Sequence, residues 1–351
     1  SYKVENGLLV QIDAPEGVFH RNENGWEKLD VDSEIAAHRS RGSQSKEKSL
    51  PNILSLITKD QYEMITTDPE RPVIIQGSAG SGKTTVALHR LAWLLHENNS
   101  SVKSDRTRVV VMNRSLAVYV SATLPSMGVN GVQTTTFNSW ALSIIRKSVR
   151  GQLFFKFLNI PSFVEEIKFS ESILKALDGW VEKQVLNLDE EIHRQFSNRK
   201  TYQETWKKGK DKPLLPRLRD FSYEIKTSKL PEAEKQQKLA FVKKQISLLE
   251  DYVQDLYNLL SDSEHLKKYL PSDPKLNSNL DYLKRLTQKN RLKKNLDYFD
   301  MSLVLRLIQL KNGGLPDGTG GTTHLDHIVI DEAQDFGPVE FAIMMDAVDD
   351  K

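Results

Sequence analysis

The chain is 351 residues long, 38% hydrophobic and 27% charged, with a formal net charge of +2 at pH 7 and no cysteine. That length suits two or three domains of ordinary globular composition, and the near-neutral balance excludes nucleic-acid binding through bulk charge, so any such surface must come from cations gathered locally. Disulfides, thiolate metal sites and membrane spans are excluded, since no apolar run approaches the roughly 20 residues a bilayer requires, and a cytoplasmic setting is expected.

The start, SYKVENGLLVQIDAPEG, has no signal-peptide pattern. Residues 1–50 read as short strands, GLLVQID and GVFHRN among them, fading into the polar tract His38–Ser49, an exposed linker. A helix is expected around Thr58–Thr66, broken by Asp68-Pro69. Strand Val73–Gln76, helix Thr84–His96, strand Val109–Met112, helix Leu116–Leu124, strand Val132–Thr136 and helix Ser139–Ser148 follow. That alternation implies parallel βαβ units and an α/β fold with a doubly wound parallel sheet. Long helical patterns such as Glu232–Leu260 then dominate until the glycine-rich run Asn312–Gly321, a flexible return loop, and HIVIDEAQDF is strand-like again. The expected layout is an extension over 1–50, a sheet lobe over 51–150, a mainly helical insertion over 151–320 and a return to the lobe over 321–351. With no initiator Met, and with FAIMMDAVDDK stopping inside a helical pattern, both ends read as cuts in a longer protein.

Gly77-Ser78-Ala79-Gly80-Ser81-Gly82-Lys83-Thr84 matches G-x-x-x-x-G-K-[ST] at every fixed position, between an expected strand and an expected helix. Glycines let backbone N–H groups turn inward around a phosphate, and the helix N-terminus behind Thr84 and Thr85 adds its dipole. Lys83 is placed to bridge the β- and γ-phosphates, and the Thr84 hydroxyl to bind Mg²⁺. The second half of the site is Ile328-Val329-Ile330-Asp331-Glu332, an apolar strand that carries Asp331 to the sheet edge. There Asp331 holds Mg²⁺ through its water shell, and Glu332 orients and deprotonates an attacking water. Paired acids favour hydrolysis over kinase-type transfer.

These residues also carry a resemblance. Asp331-Glu332-Ala333-Gln334-Asp335 resembles the DExQD box of superfamily 1 helicases of the UvrD/Rep type, and Gln61, 16 positions before Gly77, resembles the glutamine by which that family reads adenine. The resemblance implies a RecA-like lobe, ATP as the nucleotide, DNA as partner, and Gln334 as a γ-phosphate sensor coupled to the nucleic-acid groove. Within the superfamily, GSAGSGKTTVALHRLAWLL, NRSLAVYVSATLPSMG, TTTFNSWA and FDMSLVLRLIQLKNG resemble HelD-like proteins, which act on bacterial RNA polymerase. Asn113 and Arg114 stand where UvrD/Rep enzymes carry an aromatic stretch touching single-stranded DNA. Thr135, Thr136 and Phe137 resemble the next nucleic-acid motif, where Phe137 either stacks on a base or plugs the sheet-to-helix junction. In that family a second lobe supplies arginines that contribute roughly 10³–10⁵ in rate in related phosphoryl-transfer systems, so this chain, ending 16 residues after Asp335, is expected to bind Mg-ATP weakly and to turn it over very slowly.

Two basic runs complete the candidates. Lys284, Arg285, Lys289, Arg291, Lys293 and Lys294 occur with no acid from Tyr282 through Leu296; Lys207, Lys208, Lys210 and Lys212 precede Arg217 and Arg219. Each run either holds phosphates or is a solvated helix face. His89, Trp93, Trp140, Met301, Met344 and Met345 read as packing residues. Three functions stay open: a motor moving on nucleic acid, a remodelling factor acting on RNA polymerase, and an ATP-gated binding module without turnover.

Overall fold

The computed structural model describes residues 2–5, 8–14, 17–22, 25–29 and 58–349 apart from 79, 150, 152 and 154. The chain divides into two compact units, Ser1–Lys59 and Asp60–Lys351. In the first, strands β1 (Tyr2–Glu5), β2 (Leu8–Ala14), β3 (Gly17–Asn22) and β4 (Gly25–Leu29) form an antiparallel meander in that order. Ala14 pairs with Gly17, and Asn22 with Gly25. The tract His38–Ser49 lies outside the described residues.

The second unit is built on three parallel strands, β5 (Thr107–Val111), β6 (Gln133–Thr136) and β9 (His327–Ile330), in the order β6-β5-β9. β5 is central and buried on both faces, which is why it is a run of valines where an alternating pattern would mark a half-exposed strand. Successive side chains of a strand alternate between faces. Val109 and Val111 accordingly pack with Leu88, Leu91, Val120, Leu124 and Val129 on one side, and Val110 with Phe137, Trp140 and Ile144 on the other.

One expected strand is missing from the ladder. Residues 72–78 pair with no strand among the described residues, and Ile74 is 86% exposed. A strand needs partners for its N–H and C=O groups; both edges of β5 are taken, and β9 pairs only with β5 among the described residues. The outer edge of β9 pairs with no strand among the described residues, and the apolar run Val73–Gln76 lies outside the ladder.

Residues 162–312 are almost wholly helical: α5 (Ser162–Lys168), α6 (Glu171–Gln195), α7 (Lys200–Lys208), α8 (Leu214–Thr227), α9 (Glu232–Leu249), α10 (Tyr252–Ser261), α11 (Ser263–Lys267), α12 (Leu276–Lys293) and α13 (Asp300–Asn312). The single pattern expected over Glu232–Leu260 splits between α9 and α10, because the Asp251 carboxylate caps a new helix by accepting from Gln254 N at 3.1 Å. The Asn312–Gly321 loop is a closed turn: Gly313 and Gly314 reverse the chain at positive φ, and Thr323 N donates to Leu315 O. The two-residue strands β7 (Phe155–Lys156) and β8 (Leu296–Asp297) pair in parallel at the two ends of this region.

α13 is the axis of the unit. Twelve of its thirteen residues are buried, as expected of a helix enclosed on every side. Its long polar side chains are keyed to neighbours: Lys311 Nζ bonds Asp255 at 2.5 Å and Leu249 O at 2.8 Å, Asn312 bonds the Tyr252 hydroxyl, and Arg306 reaches Asp178 and Asp346. One apolar cluster consequently runs from Val110 and Ile144, through α13, to Leu256 and Leu283. Among the described residues no helix is long and apolar enough to cross a membrane.

At the foot of α13 the Lys168 ammonium is enclosed with two carboxylates, bonding Asp297 and, at 2.6 Å, Asp300. Backbone N–H groups of Asp297 and Asp300 each donate to the other's carboxylate. Burial works against the ammonium, but the two carboxylates hold its pKa above the usual value; burial raises that of Asp300. Removing one member of such a group leaves an uncompensated buried charge. Lys168→Met is therefore expected to destabilise the chain by about 3–5 kcal/mol, read as a lowered urea midpoint, with recovery when Asp297→Asn and Asp300→Asn are added.

Candidate nucleotide site

Helix α2 (Lys83–Leu94) begins directly behind the glycine-rich loop, and Val86 N donates to Gly82 O at 2.9 Å as its first turn closes. Gly82 takes φ 84°, a left-handed conformation that costs other residues strain. Gly77 is closely packed: a Cβ there would lie 2.5 Å from Ser81 Oγ, which would have to turn aside. Ser78, Gly80 and Ser81 are exposed along the loop, Thr85 is exposed on the first helical turn, and Ala79 lies outside the described residues. Lys83 Nζ folds back over its own loop, donating to Gly77 O at 3.0 Å and Ser78 O at 3.2 Å.

β9 brings the acidic residues to the same place. Its ladder continues through Asp331 N to Val110 O at 2.9 Å, which holds Asp331 at the carboxyl end of the sheet, where parallel α/β folds bind their ligands. The Thr84 hydroxyl lies 3.1 Å from each oxygen of the Asp331 carboxylate. Glu332 follows in the left-handed region at φ 53°, and Gln334 Nε2 donates to its carboxylate at 2.5 Å. Non-glycine residues held there cost about 1–3 kcal/mol, and such strain clusters at functional sites. Gln61, on helix α1 (Lys59–Ile65), approaches from the other side: its Nε2 lies 3.8 Å from where a Cβ on Gly82 would stand.

The donor set fits a magnesium-bound triphosphate. A threonine hydroxyl and an aspartate carboxylate side by side are hard oxygen ligands of the kind Mg²⁺ takes, with water and phosphate oxygens filling the remaining octahedral positions. No group of three or more acidic, histidine or cysteine side chains among the described residues could hold a metal unaided, so phosphate oxygens are needed to complete the shell. Thr84→Val should lower nucleotide affinity about tenfold in magnesium, a difference of roughly 1.4 kcal/mol, and leave affinity in EDTA unchanged, as measured by calorimetric titration.

The nucleic-acid candidates lie along the same sheet edge with mixed outcomes. Asn113 and Arg114 are exposed, and Asn113 Oδ1 caps helix α3 (Arg114–Thr123) by accepting from Leu116 N at 2.8 Å. Thr136 caps helix α4 (Phe137–Ser148) through Ser139 N, and the Thr135 hydroxyl donates to Thr136 O. Phe137 is only 3% exposed and packs 6.3 Å from Phe336. It is the plug of the junction, not a platform for a base, because its ring is the first apolar group of a helix laid on the sheet. The exposed ring nearby is Phe157, 69% exposed and stacked at 4.5 Å on Tyr298, which the sequence reading did not single out as a contact.

The basic runs separate. All six cations from Lys284 to Lys294 are exposed, and among the described residues none makes an ion pair. In the second run Lys212 pairs with Asp220, Arg219 with Glu250, and Arg217 with Asp189 while lying 3.6 Å over the Trp206 ring. Lys207, Lys208 and Lys210 are exposed and make no ion pair among the described residues, so about half of that run is neutralised within the fold.

Two further residues near the site escaped the sequence reading. Arg90 on α2 is buried and holds backbone carbonyls, and His327 at the start of β9 has its pKa pushed down to about 4 by burial, with Arg90 adding to the effect. No pattern of spacing marks either one; a buried arginine on an apolar helix face is the single sequence signal.

No curated protein matches the chain. The family described as UvrD/REP helicase N-terminal domain matches residues 57–351. The match spans both the loop that carries Lys83 and the strand that carries Asp331, and the chain belongs to the UvrD/Rep helicase family, as part of its N-terminal domain.

Proposed function

We infer that this chain is the ATP-binding part of a superfamily 1 helicase or translocase that couples ATP hydrolysis to movement on single-stranded or partly duplex DNA. The observation that carries this reading is the pairing of Thr84 with Asp331 across 247 positions. A P-loop hydroxyl and a strand-end carboxylate meet where a triphosphate and its metal would sit.

The geometry supports the following division of labour. Lys83, now spent on two loop carbonyls, exchanges them for the β- and γ-phosphates, a stronger charge-assisted pairing. Gln61 presents an amide with both donor and acceptor to the adenine edge. Thr84 and Asp331 are the residues that would hold Mg²⁺, which when bound would supply positive charge to the phosphate oxygens. Glu332 takes the proton of the attacking water, and the Gln334 amide fixes its orientation, so the residue that senses the γ-phosphate is bonded to the base that activates the water. Glu332→Gln is expected to preserve ATP binding and to slow single-turnover hydrolysis by about 10²–10⁴-fold, the usual contribution of a positioned base; undiminished turnover would remove Glu332 from the mechanism.

The first basic run is the surface that suits a nucleic-acid backbone. Arg285, Lys289 and Lys293 recur every four residues along α12, so they stand on one face about 6 Å apart. Reversing Lys289 and Lys293 to Glu should weaken DNA binding at every sequence and reduce the salt dependence by about one unit per lost phosphate contact, measured by fluorescence anisotropy over a salt series.

A second reading, an ATPase that remodels RNA polymerase, draws support from the burial of Phe137 and from Met112-Asn113-Arg114-Ser115, which offers no ring for a base. Stimulation of ATP hydrolysis by single-stranded DNA favours the motor. Stable co-purification with RNA polymerase, without that stimulation, favours the remodeller.

A further inference from the structure

The P-loop helix α2 carries a cation that touches neither phosphate loop nor acidic box. The Arg90 side chain is buried, with 4% of the residue exposed, two helical turns beyond Gly82. Its guanidinium donates to five main-chain carbonyls: Met64 at 3.3 Å, Ile65 at 3.2 Å, Thr67 at 2.7 Å, Asp68 at 3.1 Å and Arg71 at 3.3 Å. Met64 and Ile65 end helix α1, whose last carbonyls have no partner within the helix. The other three belong to the loop that leads into the P-loop. A cation at a helix C-terminus also meets the negative end of its dipole.

This arrangement closes a triangle. Gln61 lies three residues before Met64 on α1, its amide against Gly82; Gly82 opens α2; and Arg90, eight residues further along α2, grips the far end of α1. Eight residues of helix span about 12 Å of rigid rod. Ile65 is the one buried residue of α1, so apolar packing does little to hold the helix in place. Arg90 supplies the hold that packing does not. The planar fork of a guanidinium can serve several carbonyls at once, whereas an ammonium is a point donor.

We propose that Arg90 is a positioning residue for nucleobase recognition: by clamping the end of α1 and the loop after it, it fixes the reach of Gln61 over the P-loop and so sets the preference for adenine. The proposal rests on the reading of Gln61 as the adenine contact. Arg90 itself touches no ligand, since all its bonds go to the backbone two turns away from the phosphates.

The test is nucleotide binding by the whole chain, titrated with Mg-ATP, Mg-GTP and inorganic tripolyphosphate, for the unmodified protein, Arg90→Lys, Gln61→Ala and the double variant. Arg90→Lys should weaken ATP about fivefold to tenfold, the worth of about one hydrogen bond, with GTP and tripolyphosphate changed less than about twofold. Gln61→Ala should do the same, and the double variant no more than either, because both act on one contact. Equal weakening of all three ligands by Arg90→Lys would overturn the proposal and leave Arg90 a general support of the fold. If Gln61→Ala leaves the ATP-to-GTP ratio unchanged, the adenine contact is wrong and the proposal falls with it, an outcome distinguishable because it appears without touching Arg90. Should Arg90→Lys fail to fold, hydrogen exchange on the unmodified chain decides. Saturating ATP must slow the amides of residues 62–71 more than saturating GTP does, while both slow the P-loop alike; equal slowing of residues 62–71 overturns the proposal.

Discussion

One hydrogen-bonded pair, the Thr84 hydroxyl on the Asp331 carboxylate, is the point at which the two halves of the nucleotide site meet chemically. Neither residue alone makes a site. Thr84 is the second residue of a helix and Asp331 one residue past a strand, and their contact exists only if β9 lies in parallel beside β5 with the right register. Parallel strands cannot be joined by a short turn. Here the connection from β6 to β9 is the whole helical region, so the geometry of the nucleotide site depends on how well that long detour returns.

The return is secured by buried polar groups more than by apolar area. Apolar packing is non-directional and tolerates sliding, while a buried charge without its partner is expensive. Lys311 with Asp255, Arg306 with Asp178 and Asp346, and Lys168 with Asp297 and Asp300 each demand one placement of α13. Arg306 also bonds Gln309, which in turn bonds Ile343 O on helix α14 (Pro338–Met345) just beyond the acidic box. The helical region and the acidic box thus share a single registered axis.

Electrostatics divides the surface of the helical region into used and unused charge. Arg217 and its neighbours are consumed by Asp189, Asp220 and Glu250, partners distant in sequence or across a turn. The run on α12 pairs with no acid among the described residues, whereas Asp189, Asp220 and Glu250 are taken by Arg217, Lys212 and Arg219. Cations that remain unpaired near neutral net charge are the ones available to an external polyanion.

Much of the nucleotide site was legible in residue types and order alone. The P-loop, the acidic pair and the parallel alternation of strands and helices are local: a glycine at positive φ, an apolar run ending in carboxylates and a 3.6-residue period each carry their own physical reason. The match of the family to residues 57–351 agrees with that reading at the level of family. What only the tertiary structure decided are properties that depend on a neighbour. Val73–Gln76 has the composition of a strand yet lies outside the ladder, because composition does not dictate which backbone groups a segment pairs with. Phe137 could have faced solvent or core, and the helix it begins turned it inward. Arg90 and Lys168 look like ordinary cations in the sequence; burial against carbonyls and carboxylates far along the chain gives them their meaning, because a charge acquires its energy from what surrounds it.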